Sequence, residues 1–338
     1  MKINQLDLFS GIGGFHLGFE RAGFEVTSFF SEVDPHAIAV YKNQFKNSTY
    51  VGSVTDVRGE DLPAIDLITF GSPCQDFSLA GKRRGMEGQR SSLILEAIRL
   101  IKECRPRVFI WENVKGTFSS NAGEDFAAIL QTFTEIGGYR LEWELLNTSW
   151  FLPQNRERVY LVGYSSEVRG DWRGVFPIAS KSKSDYELPR QQANTNTILQ
   201  RYGNDSQGSY IIERKLNAQA VIEPTFGSKS LNETIEMNEL YEGVPSALDL
   251  YNRSARDEAP TLTDPVHNTT RLFDGYRIRK LTPIECERLQ GFPDNHTAFG
   301  DYDGVTKPVS NTQRYRQCGN AVTVDVVQAI ANKLKDIF

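Results

Sequence analysis

Apolar positions in the first half of the chain follow two alternating patterns. Short runs at 3–9, 25–30, 65–70, 108–111 and 158–163 are rich in branched and aromatic residues and read as strands. Between them, segments at 15–22, 35–44, 93–103 and 124–136 repeat apolar residues three and four apart and read as helices. This alternation predicts an α/β fold with a doubly wound, mostly parallel sheet covered by helices on both faces. Ligands of such sheets sit at the carboxyl ends of the strands, so residues just after each strand are the first functional candidates.

From about 170 to 270 the pattern weakens into Ser, Thr, Asn, Gln and charge, which predicts a smaller, irregular, partly β lobe. Helical order returns at Thr282-Pro283, a good N-cap followed by proline in the first turn. A last helix over 322–337 places Val324, Val327, Ala331 and Leu334 on one face, suited to packing back on the first lobe. The expected division is a catalytic and cofactor-binding domain at 1–178 plus 313–338, and a recognition domain at 179–312.

Composition narrows the function. With 338 residues the chain can build one large core and a second lobe. No apolar run is long enough to cross a bilayer, and the first residues lead directly into a strand without a signal segment, so no membrane partner and a cytoplasmic location are expected. Cys74, Cys104, Cys286 and Cys318 form no Cys-x-x-Cys pair, and His16, His36, His267 and His296 have no ligand spacing. Free thiols, no metal, and histidines on the surface or in loops follow as expectations. A net charge of −5 disfavours indiscriminate coating of nucleic acid but allows a local basic cleft. Lys82, Arg83, Arg84 and Arg90 could build one with Arg271, Arg277, Arg279 and Lys280; each cluster could equally be solvated loop charge.

The first strand runs into Asp7-Leu8-Phe9-Ser10-Gly11-Ile12-Gly13-Gly14-Phe15, a glycine-rich turn that lets backbone approach a nucleotide-like ligand. Glu32 follows the second strand, where a carboxylate can accept hydrogen bonds from ribose hydroxyls. The pair favours an adenosine-containing cofactor, a dinucleotide among them, while the missing Gly-x-x-x-x-Gly-Lys-Ser/Thr pattern disfavours phosphoryl transfer. After the strand at 65–70 comes Gly71-Ser72-Pro73-Cys74-Gln75, which puts a thiol on a rigid turn at the ligand crevice. Glu112 and the guanidiniums of Arg156 and Arg158 are expected at the same edge. One thiol, one acid and two cations then converge.

In order and over nearly the whole chain, these blocks resemble the cytosine carbon-5 DNA methyltransferase family of bacteria and phages. They are 7–14, 71–75, Glu112-Asn113-Val114, Gln154-x-Arg156-x-Arg158, 279–283 through 290–293, and Gln317-Cys318-Gly319-Asn320-Ala321-Val322. The stretch from about 170 to 275 lacks a match and corresponds to the family's variable target-recognition region. The resemblance implies a Rossmann-like methyltransferase fold, S-adenosyl-L-methionine as cofactor and duplex DNA as substrate. It allows a separately encoded restriction endonuclease as an optional partner, with a monomer as the default state.

The implied reaction explains the residue types. Carbon 5 of cytosine is a poor nucleophile, so the Cys74 thiolate first adds at carbon 6 and makes the ring an enamine. Glu112 faces the ring nitrogen and exocyclic amine, and Arg158, with Arg156 supporting, faces the carbonyl oxygen. The target must be flipped out of the duplex. A lid with Gly81, Gly85 and Gly88 as hinges would carry Gln75, Ser78, Lys82 and Arg90 to the DNA. The implied cofactor set is Phe9 through Gly14 (Phe9, Ser10, Gly11, Ile12, Gly13, Gly14), then Glu32, Val33, Ser53, Val54, Pro73, Leu93, Asn320 and Ala321. Two members depart from the family pattern: Ser53 stands where an acidic residue typically meets the adenine amine, and Ala321 where a serine is frequent. Rival readings are the related transfer-RNA methyltransferase branch, a catalytically silent DNA-binding relative, and a nicotinamide dehydrogenase. The long recognition region, the intact Cys74, Glu112 and Arg158, and the Pro-Cys-Gln block argue against them in turn.

Overall fold

The computed structural model describes residues 1–72, 93–118, 124–167, 174–178 and 281–338, together with six short strands between 212 and 279. Seven strands form the central sheet: β1 (Lys2–Leu8), β2 (Glu25–Ser31), β3 (Thr49–Tyr50), β4 (Leu67–Gly71), β5 (Val108–Val114), β6 (Tyr139–Asn147) and β7 (Glu157–Ser165). Their order is β3-β2-β1-β4-β5-β7-β6. All neighbours from β3 to β5 pair in parallel, whereas β7 runs antiparallel to both β5 and β6. β5 is buried along all but its last residue, which suits a central strand covered on both faces. β1 continues to β2 on one side and borders β4 on the other, so the chain changes direction between β1 and β4. A ligand crevice opens at the carboxyl ends flanking such a point.

Helices α1 (Gly14–Arg21), α2 (Pro35–Gln44), α3 (Leu93–Cys104) and α4 (Glu124–Thr134) occupy the predicted segments within two residues at each end. One sheet face packs against Phe15 and Phe19 of α1 and against the C-terminal helix. The other packs against Ile94, Ala97, Ile98 and Ile101 of α3 and Phe126, Ile129 and Phe133 of α4. Asp34 caps α2 by accepting from the backbone of His36 and Ala37, with Pro35 in the first turn.

In the expected recognition region, β8 (Ile212–Arg214) pairs with β9 (Ala220–Ile222). β10 (Ala247–Asp249), β11 (Ser254–Arg256), β12 (Thr270–Phe273) and β13 (Ile278–Arg279) form a second sheet in the order β11-β10-β12-β13. The chain then forms α5 (Pro283–Leu289), the hairpin β14 (Phe299–Tyr302) and β15 (Val305–Pro308), α6 (Asn311–Asn320) and α7 (Val324–Lys333). Thr282 and Glu285 complete a reciprocal capping box at the start of α5. Val324, Val327, Ala331 and Leu334 are buried on α7, which packs so closely on α1 that a β-carbon on Gly18 would lie 2.4 Å from Val327.

Two expectations need correction. The boundary at 312 falls too late, because residues 281–312 pack on the catalytic lobe. Phe292 and Val309 share an apolar cluster with Ile12, Ala37 and Val40, and His296 Nε2 lies 2.8 Å from the Ile12 carbonyl oxygen. The histidines are not uniformly peripheral either: His16 and His296 are 1% and 3% exposed. His16 stacks on Phe45 with ring centroids 3.9 Å apart. Burial pushes the pKa of His296 down to about 4, which keeps the ring neutral beside Ile12. Cys286 and Cys318 pack with Leu281, Leu289 and Tyr315, and burial pushes both thiols up, away from reactivity.

Candidate active site

The turn after β1 shows how local sequence shapes one end of the crevice. Phe9 has a left-handed backbone, φ 52°, a conformation that costs a non-glycine residue about 1–2 kcal/mol. Ser10 N donates to the Ser31 carbonyl at 3.1 Å, which ties the turn to the end of β2. Gly11 N donates to Glu32 Oε2 at 2.9 Å, and the other carboxylate oxygen accepts from Val33 N at 2.7 Å and Asp34 N at 3.0 Å. Three backbone amides therefore orient Glu32. The three glycines of the turn differ in purpose. Gly11, also left-handed, has nothing within 4 Å of where a β-carbon would stand, leaving the approach open. Gly13 and Gly14 serve packing instead: a β-carbon would lie 2.2 Å from Phe45 or 2.6 Å from Val322.

The opposite end is built by β4, β5 and β7. Antiparallel pairing sets Arg158 opposite Val114 and Tyr160 opposite Glu112, so the first residues of β7 meet the last residues of β5. Arg158 Nε lies 3.2 Å from Glu112 Oε1, with the two side chains 14% and 11% exposed. A β-carbon on Gly71 would lie 3.1 Å from Glu112 Oε2, so the glycine leaves the carboxylate its room. Ser72 is fixed at the tip of β4: its hydroxyl accepts from Trp111 Nε1 at 3.1 Å and its carbonyl from Asn113 Nδ2 at 3.2 Å.

Both ends open into one cleft of about 430 Å³, within the range of small-molecule sites. Phe9, Gly11, Ile12, Glu32 and Val33 line one end, Glu112, Arg156 and Arg158 the other, and Asn320 a third wall. Among the expected cofactor residues, Ser10, Gly13, Gly14 and Ala321 stand behind this surface as nearly buried supports. Val54 and Leu93 pack with Phe9 on the α3 side of the core, and the Ser53 hydroxyl bonds to Thr55 at 2.9 Å. Pro73, Cys74, Gln75, Ser78, Lys82 and Arg90 lie outside the described residues, as do the glycines expected to hinge the lid.

Arg156, expected to support Arg158, lines the cleft and is anchored on backbone carbonyls. It is 3% exposed, and its guanidinium donates to the carbonyls of Gly319 at 3.1 Å and Ala321 at 2.9 Å. It fastens the α6–α7 turn, and with it Asn320, to the start of β7. Burial, with the neighbouring Arg158 second, pushes its pKa down to about 9, still protonated at neutral pH. Sequence reasoning missed Asp34, Ala37, Ser72, Asn113, Arg316 and Gln317 in the cleft wall. Asp34-Pro35 was visible as a helix start, and Arg316 and Gln317 stand four and three residues before Asn320, on the same helical side.

Among the described residues, no cluster of three or more His, Cys, Asp or Glu could hold a metal ion, and no helix is long and apolar enough to cross a membrane.

An open sheet with a glycine turn, a carboxylate held by backbone amides and a second acid paired to arginine on the same cleft is the arrangement of a nucleotide-type ligand site. The model of the C-5 cytosine-specific DNA methylase family matches residues 3–336, and the chain belongs to that family. It is 33% identical to the type II methyltransferase M1.ScrFI of Lactococcus lactis subsp. cremoris, over 100% of this chain and 79% of that protein. It is 31% identical to the type II methyltransferase M.Bsp6I of Bacillus sp. strain RFL6, over 97% and 96% of the two chains. The crystal structure of the Dnmt2 methyltransferase of S. pombe shares the fold, with a TM-score of 0.65, 20% identity and coverage of 98% of each chain. Family and fold together imply S-adenosylmethionine as methyl donor. The open approach at Gly11, the oriented Glu32 and the cleft volume fit it.

Proposed function

We propose that this chain methylates carbon 5 of a cytosine flipped out of a specific sequence in duplex DNA, through a transient bond between Cys74 and carbon 6. The observation that carries this reading is the Glu112–Arg158 pair opening onto the same cleft as the glycine turn and Glu32. A carboxyl and a guanidinium side by side match the ring nitrogen, exocyclic amine and carbonyl edge of cytosine. The Cys74 thiolate adds at carbon 6, and carbon 5 gains the electron density to take a methyl group. S-adenosylmethionine supplies that methyl as an electrophile. Loss of the carbon-5 proton to a base then expels the thiolate, restoring the aromatic ring and the free enzyme.

Phe9, Val33, Val54 and Leu93 would flank the adenosine, and Glu32 its ribose. Gln75, Ser78, Lys82 and Arg90 would hold DNA around the extruded base, and residues from about 179 to 280 would read the target sequence. A separately encoded endonuclease of the same specificity is the partner this reading allows.

The test is transfer of labelled methyl to duplex DNA and to transfer RNA, with the wild type and Cys74→Ser side by side. Label recovered as 5-methylcytosine in DNA, lost with Cys74→Ser, is the expected result. A denaturant-resistant adduct with DNA carrying 5-fluorocytosine should form for the wild type alone, since fluorine blocks the final proton loss. Label only in transfer RNA would move the substrate to RNA. No label in either, despite cofactor binding, would favour a silent DNA-binding relative.

A further inference from the structure

β3 is a two-residue strand at the sheet edge, paired with β2 only through Thr49 and Tyr50. So short an edge element cannot by itself fix the turn that follows. That turn closes on its own bonds, Asp56 N and Val57 N both donating to the Ser53 carbonyl, at 2.9 and 3.3 Å. It is then fastened from α3. Arg99 Nη2 donates to the carbonyl oxygens of Val57 at 2.9 Å and Val54 at 3.3 Å, across 42 and 45 residues of sequence. The remaining guanidinium nitrogens are held along the helix: Nε donates to Glu96 at 2.8 Å, and Nη1 to both Glu103 oxygens at 2.8 and 2.9 Å. Glu103 Oε2 also accepts from Gly59 N at 2.8 Å, a second fastening just beyond the turn.

Salt bridges along a helix do not require this arrangement. A partly exposed Glu–Arg–Glu row contributes little, and it could form with the guanidinium turned to solvent. What the two carbonyl bonds add is the placement of Val54, 3% exposed, in the apolar cluster on the α3 side. Phe9 and Leu93, the first residue of α3, pack against that same cluster. Phe9 comes from the turn after β1, Val54 from the 53–57 turn and Leu93 from the helix, so their spacing depends on how the second turn and the helix are joined. We propose that Arg99 is a positioning residue for the cofactor: by locking the 53–57 turn onto α3, it sets the apolar wall of Phe9, Val54 and Leu93 against the adenine ring. This rests on the cofactor reading given above. A guanidinium suits the task because one planar fork reaches two carbonyls and two carboxylates together, which an ammonium cannot do.

The test compares Arg99→Lys and Arg99→Gln with the wild type in the full chain. Calorimetric titration uses S-adenosylhomocysteine and 5′-methylthioadenosine, a nucleoside with the same ring, and methyl-transfer kinetics follow on duplex DNA. Lysine keeps the charge that pairs with Glu96 and Glu103 but cannot bridge both carbonyls. Both variants should weaken both ligands by the same factor, about three- to tenfold, and raise KM for S-adenosylmethionine alike. At saturating cofactor, kcat and KM for DNA should stay within about twofold. Full affinity in Arg99→Lys, with loss only in Arg99→Gln, would assign the residue to charge pairing along the helix and overturn the proposal. Unchanged affinity in both variants overturns it too, as does a fall in kcat and DNA binding as large as that in cofactor affinity; the cofactor reading then stands. Arg99→Lys, which keeps a cation beside both carboxylates, decides the matter if Arg99→Gln does not fold. Failure of the wild type to bind either ligand overturns the cofactor reading, and the proposal with it.

Discussion

The two ends of the cleft are held by different means. At the end proposed for the cofactor, Glu32 is oriented by three backbone amides from its own neighbourhood and the turn after β1. At the base end Glu112 and Arg158 come from different strands, and their meeting depends on the β5–β7 register. The wall beyond is docked by Arg156 across 163 and 165 residues of sequence. The first end is a local construction that any stable β1–β2 unit would carry. The second exists only when the whole sheet and the α6–α7 turn are in place. Substitutions should therefore separate binding of cofactor from chemistry on the base.

The largest separation is expected at Glu112. Glu112→Gln keeps size and removes the acid, and should lower kcat for methyl transfer by about 10²- to 10⁴-fold while S-adenosylhomocysteine affinity stays within about twofold. Arg158→Lys should behave alike, since an ammonium cannot reproduce the guanidinium's planar set of donors. Parallel loss of cofactor affinity would mean that the two ends are one cooperative unit. The converse variant, Glu32→Ala, should weaken S-adenosylhomocysteine by about ten- to a hundredfold and leave kcat at saturating cofactor within a few fold. A fall in kcat as large as that of Glu112→Gln would break the division.

The same contrast governs what could be read from sequence. The turn at 9–14, Glu32 after β2, and the α2 start at Asp34-Pro35 are short-range patterns, and the structure places them where local rules put them. Distinguishing Gly11 from Gly13 and Gly14 was out of reach, because Phe45 and Val322 fill the space beside the latter two only in the folded chain. Arg156 and Arg158 are separated by one residue in one motif, so sequence assigned them a shared task; Arg156 stands just before β7 and reaches the backbone carbonyls of Gly319 and Ala321, whereas Arg158 within the strand reaches Glu112. Residues 281–312 were grouped with the recognition lobe in the sequence reading. Their partners, Ile12, Ala37 and Val40, lie some 250 residues earlier and leave no local signature.

The smallest effect expected is on stability, beneath the cofactor end, where Asp7 is fully buried in β1. Its carboxylate accepts from Thr69 Oγ1 at 2.7 Å and Tyr41 Oη at 3.3 Å. Burial pushes its pKa up to about 8, partly opposed by these two hydrogen bonds and reinforced by the charge of Glu32. In the unfolded chain the group titrates near 3.8, so between these values the folded state holds a proton that the unfolded state has released. Stability from this group is thus complete at acid pH and is lost as pH rises toward 8. Asp7→Asn removes the titration and keeps the shape. Its stability relative to the wild type should climb steadily from pH 5 to pH 8 and level off above. Thermal melts of both proteins across that range provide the measurement. A difference that does not vary with pH would show that Asp7 ionises alike in both states, and that the base of the cofactor end is better solvated than its burial implies.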